Sequence, residues 1–157
     1  MASGFKKLFL RTLGKIIPSD VFAYRIPVSV KGICFIDNKV ILLKNELGNW
    51  DLPGGKLNRK EQAEDCLKRE FFEEVGIEIK VEKLLGVHNL RIQNKIDVLV
   101  LIYQCSTFAQ FEDMRISEES FDLQTFECSA LPKQFLPTHF LPHIEQVASN
   151  HAIRTTK

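Results

Sequence analysis

The sequence predicts an α/β fold, a mixed β-sheet with helices on both faces. Three features carry that reading. Apolar stretches rich in β-branched residues come first, one helical stretch free of Pro and Gly stands between strand pairs, and a second helical stretch lies near the end. The 157 residues are the length of one ordinary domain. Hydrophobic residues at 45% and charged residues at 26% are the composition of a soluble globular protein. No run approaches the roughly 18 to 20 apolar residues that span a bilayer. A net charge of +1 disfavours a general nucleic-acid binder, whose phosphate contacts need a basic surface. Cys34, Cys66, Cys105 and Cys128 stand far apart with no CxxC, which argues against zinc and gives a disulfide framework no support. Buried free thiols in a reducing, cytoplasmic compartment are the expectation.

Residues 1–19 contain Lys6, Lys7, Arg11 and Lys15 and no acid, which leaves −3 on the remainder. Phe5, Phe9, Leu13, Ile16 and Ile17 recur at helical spacing, so residues 1–25 read as a basic amphipathic helix, ended by Pro18, and a linker. The preferred role is packing on its own domain or on a second copy; an interfacial membrane anchor and a targeting peptide are the alternatives. The domain is expected over 26–150, with a tail over 151–157. Ile26 to Ile36 and Val40 to Leu43 flank the turn Asp37-Asn38-Lys39 and predict a hairpin. Asn45 to Asp51 is a loop holding the only tryptophan, Trp50, and Gly54-Gly55 lets the backbone turn tightly or approach a ligand. Glu61 to Val75 predicts a helix stopped at Gly76. Ile77 to Leu90 and Lys95 to Cys105 are strands about a turn at Arg91-Ile-Gln-Asn94. A polar loop over 108–120, a strand over 121–128 and a helix over 137–150, whose true start Pro142 sets, complete the chain.

The helix at 61–75 carries the chemistry. At about 100° per residue, Ala63, Cys66, Leu67 and Phe71 share the side that faces the sheet. Glu70 and Glu74 fall on that same side and Glu73 at its edge, whereas a merely solvated charge run would lie opposite the apolar stripe. Carboxylates at i, i+3 and i+4 crowd one another, and crowding with burial raises their pKa values. A divalent cation relieves both penalties, and hard oxygen ligands suit Mg²⁺ or Mn²⁺. Arg69 supplies a positive fork that holds a carboxylate in place.

Gly55-x5-Glu61-x7-Arg69-Glu70-Phe71-x-Glu73-Glu74-x-Gly76-Ile77 resembles the Nudix box, G-x5-E-x7-R-E-U-x-E-E-x-G-U with U a bulky apolar residue, at all nine defined positions over 23 residues. Trp50 to Gly55, Val40 to Leu43, and Ser117 to Phe126 with Leu131-Pro132 resemble its flanking segments. The similarity covers about residues 26–147.

The resemblance implies a Nudix-type α/β/α sandwich that hydrolyses the pyrophosphate bond of a nucleoside diphosphate linked to a further group. It implies that Glu70, Glu73 and Glu74, with the backbone carbonyl of Gly55, ligate Mg²⁺ or Mn²⁺. Arg69 then orients the ligands and Glu61 braces the loop against the helix. Glu74, Glu118 and Glu119 are the candidates for general base. Trp50, His88, Arg91 and Lys95 are the residues offered for stacking or phosphate contact. Arg91-Ile-Gln-Asn94 lacks the Pro or Tyr found there in subgroups that cleave ADP-ribose or dinucleoside polyphosphates. Leu52-Pro53-Gly54-Gly55 departs from the W-x-F-P-Q-G-G run of RNA 5′-end enzymes. A small nucleotide or nucleotide sugar is the expected substrate, without DNA, RNA or membrane partners, and a homodimer is open. The alternative is a ligand-sensing module of the same fold, which normally brings a partner domain for which little length remains.

Overall fold

Val28–Ile36 forms β1, and its alternation sets the architecture. Val30, Cys34 and Ile36 belong to one buried cluster, and Ile33 and Phe35 to another. A strand buried on both faces needs cover on both sides. The computed structural model supplies it, describing residues 26–45, 47–92, 96–116 and 121–155. The expected basic helix over 1–25 and the candidates Lys95, Glu118 and Glu119 lie outside the described residues.

Asp37 and Asn38 take φ of 50° and 62°. Two successive positive φ angles give a tight turn whose twist suits a hairpin, and β2 (Lys39–Lys44) returns from it. The hairpin stays paired only at Phe35 with Val40 and Ile36 with Lys39. Beyond that point β2 pairs antiparallel with the two-residue β3 (Trp50–Asp51) and with β6 (Asp122–Phe126). β4 (Lys80–Ile92) and β5 (Ile96–Ser106) form an antiparallel pair, and β5 runs parallel to β1 from Val28–Leu99 to Cys34–Cys105. The edge of β1 that β2 leaves is taken by residues 53–57. Gly32 N–H donates to the Pro53 carbonyl (2.9 Å), Val30 N–H to Gly55 (2.8 Å), and Leu57 N–H to Val28 (2.9 Å).

α1 (Ala63–Val75) buries Cys66, Leu67, Phe71 and Val75 against the Val30 face. Gly76, at φ 75°, ends it and returns its N–H to the Phe72 carbonyl. α2 (Leu141–Thr155) lays Ile144 and Val147 against the opposite face, with Ile33, Val100 and Ile102. The result is the expected mixed sheet between helices.

Several boundaries differ from expectation. Trp50 stands in β3 rather than in a loop, because Lys44 pairs with it. β4 continues through Arg91 and Ile92, since Asp97 and Ile96 extend the ladder opposite them. Thr138–Phe140 is a 3₁₀ turn, and α2 begins at Leu141, the later start expected from Pro142, which stands in the first turn where a missing N–H costs little. α2 runs to Thr155, past the expected boundary at 150. All four cysteines are free, with Cys34, Cys66 and Cys105 buried. Burial pushes the Cys34 thiol up to about 12 and Cys66 to about 11, which leaves both unreactive.

Candidate active site

Arg69, one and a half turns into α1, organises the acids of that helix. Its Nε and Nη2 grip Glu61 at 2.8 and 3.1 Å, a bidentate pair. Its Nη1 donates to Glu70 Oε1 at 2.8 Å and to Glu73 Oε2 at 2.9 Å. Glu61 Oε2 also accepts from Asn58 N–H at 2.9 Å, which ties the preceding loop to the helix. Hydrogen bonding from Arg69 above all, then from Asn58, holds the Glu61 carboxyl down at about 2.

Glu74 follows a different logic. Its side chain is half-buried, and Oε2 accepts from Gly54 N–H at 2.8 Å. Burial pushes its carboxyl up from the usual 4.5 to about 7, against the pull of Gly54 and Lys31. Glu70 and Asp51 add to the rise.

Gly55 lies directly against Glu70. A Cβ there would sit 2.3 Å from Glu70 Cδ, so any side chain displaces that carboxylate. The Gly55 carbonyl accepts from Val30 N–H at 2.8 Å and, at the longer distance of 3.4 Å, from the Ser29 hydroxyl.

Among the described residues, no three acidic, His or Cys side chains are gathered closely enough to cage an ion. Glu70 and Glu73 meet on Arg69 Nη1, Glu73 is 56% exposed, and Glu74 is turned to the loop. The guanidinium relieves the crowding of Glu70 and Glu73. The donor set nevertheless fits Mg²⁺ or Mn²⁺. It consists of hard oxygens, with the Glu70 carboxylate abutting Gly55 and with the neighbouring half-buried Glu74 carboxyl, whose desolvation outweighs the pull of Gly54 N–H and Lys31.

The remaining candidates scatter. Trp50 is 7% exposed and meets Phe126 edge-on at 4.8 Å, with Lys44 Nζ 5.5 Å above its ring. It walls a hollow of about 350 Å³ together with Asn45, Asn49, Gln134 and Phe135. Arg91 pairs with Asp97 at 3.6 Å on the β4–β5 hairpin. Register puts that hairpin end level with the 55–57 segment, since Leu99 opposes Val28 and Leu57 N–H donates to Val28. His88 faces α2, with its Nε2 2.8 Å from that of His143.

Sequence reasoning passed over Lys31 and the histidines beside His88. Lys31 Nζ donates to Asp51 Oδ2 (2.9 Å), the Leu52 carbonyl (3.0 Å) and the Gly54 carbonyl (2.8 Å). The available signal was a lysine inside an otherwise apolar strand. His139 and His143 were hidden because only the fold brings α2 and the 3₁₀ turn before it to β4.

This α/β sandwich, with a glycine loop laid against a helix of clustered glutamates, defines the class. The NUDIX domain family model matches residues 26–142, and the chain belongs to that family. It is 33% identical over 95 residues to a MutT-like protein of Streptomyces ambofaciens, a match covering 59% of this chain and 58% of that protein. It is 28% identical over 123 residues to an ADP-ribose pyrophosphatase of Methanocaldococcus jannaschii, covering 73% and 72%. The crystal structure of a MutT NUDIX hydrolase from Burkholderia pseudomallei matches with a TM-score of 0.66 at 28% identity, over 79% of this chain and 99% of that one. No helix among the described residues is long and apolar enough to cross a membrane.

Proposed function

We propose that this protein hydrolyses the phosphoanhydride bond of a nucleoside diphosphate linked to a second group, with a small nucleotide or nucleotide sugar as substrate. The observation that carries the reading is the convergence of Glu61, Glu70 and Glu73 on Arg69, with Gly55 against Glu70. The Methanocaldococcus relative, named for ADP-ribose cleavage, supports a nucleotide-linked pyrophosphate.

Glu70, Glu73, Glu74 and the Gly55 carbonyl would hold Mg²⁺ or Mn²⁺. When bound, such an ion neutralises phosphoryl charge and lowers the pKa of a water it holds. Glu61 and Asn58 keep Arg69 in place, and Arg69 in turn keeps Glu70 and Glu73 side by side. Glu74 has a carboxyl poised near neutrality, which suits a proton acceptor; Glu118 and Glu119 remain the other candidates for that role. Arg91, Trp50 and Lys95 are offered to the substrate. Three buried free thiols fit a reducing cytoplasm.

The test is a panel of nucleoside triphosphates, dinucleotides and nucleotide sugars with Mg²⁺ or Mn²⁺. Turnover that depends on the metal, and that Glu73→Gln lowers by orders of magnitude, is expected. Absence of turnover across the panel, with ligand binding retained, would favour the sensing module instead.

A further inference from the structure

The side chain of Lys31 is 14% exposed, and its ammonium is fully engaged by one short loop. Its three acceptors come from Asp51, Leu52 and Gly54, all at 2.8 to 3.0 Å. Asp51 Oδ1 meanwhile accepts from Leu52 N–H at 2.8 Å, which tightens the same turn. The loop so gathered leads straight to the two groups that meet α1. Gly54 N–H binds Glu74, and the next residue, Gly55, lies against Glu70. Gly54 itself sits at φ 128°, where a Cβ would fall 2.1 Å from the Val30 carbonyl, so the loop lies hard on β1. Backbone carbonyls attract a buried ammonium strongly because both are poorly solvated there.

We propose that Lys31 is a positioning residue for the hydrolytic site. It fixes the 51–55 loop so that Gly54 N–H and the Gly55 carbonyl stand in register with Glu74 and Glu70. The proposal rests on the hydrolase reading. A plain structural role would confine Lys31 to balancing the Asp51 charge. Two of its three bonds go to carbonyls, which need no neutralising, and both carbonyls belong to the segment that approaches α1.

The experiment compares wild type, Lys31→Met, and the double variant Lys31→Met/Asp51→Leu, which removes both charges. Each is assayed for thermal unfolding, for kcat and KM on a substrate from the panel, and for Mn²⁺ affinity by calorimetry without substrate. In the double variant the unfolding temperature returns toward wild type. Its kcat stays depressed by about 10²-fold with KM little changed, as expected for misplaced reacting groups. Its Mn²⁺ affinity stays about 10- to 100-fold weaker, the usual cost of losing a group that orients ligands. Should Lys31→Met alone fail to fold, the double variant decides. Wild-type kcat and Mn²⁺ affinity in the double variant would overturn the proposal. If wild type turns over nothing, the hydrolase reading fails separately, and Mn²⁺ affinity still reports on Lys31.

Discussion

Gly55 and Arg69 show how single positions govern the site. At Gly55 a methyl group would land 2.3 Å from Glu70 Cδ, and the far end of that side chain would have to swing away. Gly55→Ala is therefore expected to leave the fold standing and to weaken Mn²⁺ binding by about 10- to 100-fold in calorimetry. An alanine variant that binds Mn²⁺ like wild type would show that the Glu70–Gly55 contact is not used. Arg69 is a hub, because one planar fork serves three carboxylates. Replacing it with glutamine leaves Glu61, Glu70 and Glu73 with no shared cation. Carbonyl ¹³C titration should find the Glu61 carboxyl rising from about 2 toward the ordinary 4.5. A Glu61 titration that does not move would mean that Asn58, not Arg69, controls that carboxyl.

At the scale of elements, α1 is held to β1 by a close fit between a glycine and a ring. A Cβ at Gly32 would lie 2.5 Å from Phe71 Cε2 and 3.2 Å from Cys105 Sγ. Phe71 is wholly buried. Gly32→Ala should cost about 1–3 kcal/mol by overpacking. Phe71→Ala should cost about 3–5 kcal/mol by leaving a cavity. Since each change relieves the other, the double variant should be less destabilised than the two losses combined, by about 0.5–3 kcal/mol. Urea unfolding measures all three, and strict additivity would mean that the two residues do not share this contact. The same packing aims the chemistry. With Phe71 and Leu67 seated on the sheet, Glu70 and Glu74 face the 54–55 loop and not open water.

For the whole molecule, two sets of groups give stability opposite pH dependences. Burial depresses His139 and His143, assisted by the neighbouring His88, while Asp51 opposes the effect at His139. The folded state therefore holds fewer protons than the unfolded one below the ordinary histidine value of 6.5. Their contribution is complete above that pH and is lost as the pH falls below it. Glu74 has the reverse sign. Its folded pKa is raised to about 7, so its contribution is complete below 4.5 and lost as the pH rises through 7. In metal-free protein, Glu74→Gln should gain stability relative to wild type as the pH climbs from 4.5 past 7. His143→Asn should narrow the wild-type loss below 6.5. Thermal melts across that range check both, and parallel wild-type and Glu74→Gln curves would contradict the burial argument for Glu74.

Periodicity in the sequence was enough to place the five longer strands, the helix after Gly55 and the final helix, because alternation and a 3.6-residue repeat are local properties of side chains that seek burial. Spacing alone likewise put Glu70 and Glu74 on the inward side of α1, and the ordered glycines and acids of 55–77 marked the family. Long-range geometry decided the rest. Trp50 became a wall against Phe126, and Arg91 became half of an ion pair, because strand register chose their neighbours. Lys31 reached the 51–54 loop, and His139 and His143 met His88, because β1, β3, β4 and α2 come together only in three dimensions. The acids and an orienting Arg69 were legible, but the pairing of Arg69 with Glu61 and the turning of Glu74 to the loop were not. A helix repeat tells which way a side chain leaves the backbone, and only the folded surroundings determine the charge it meets there.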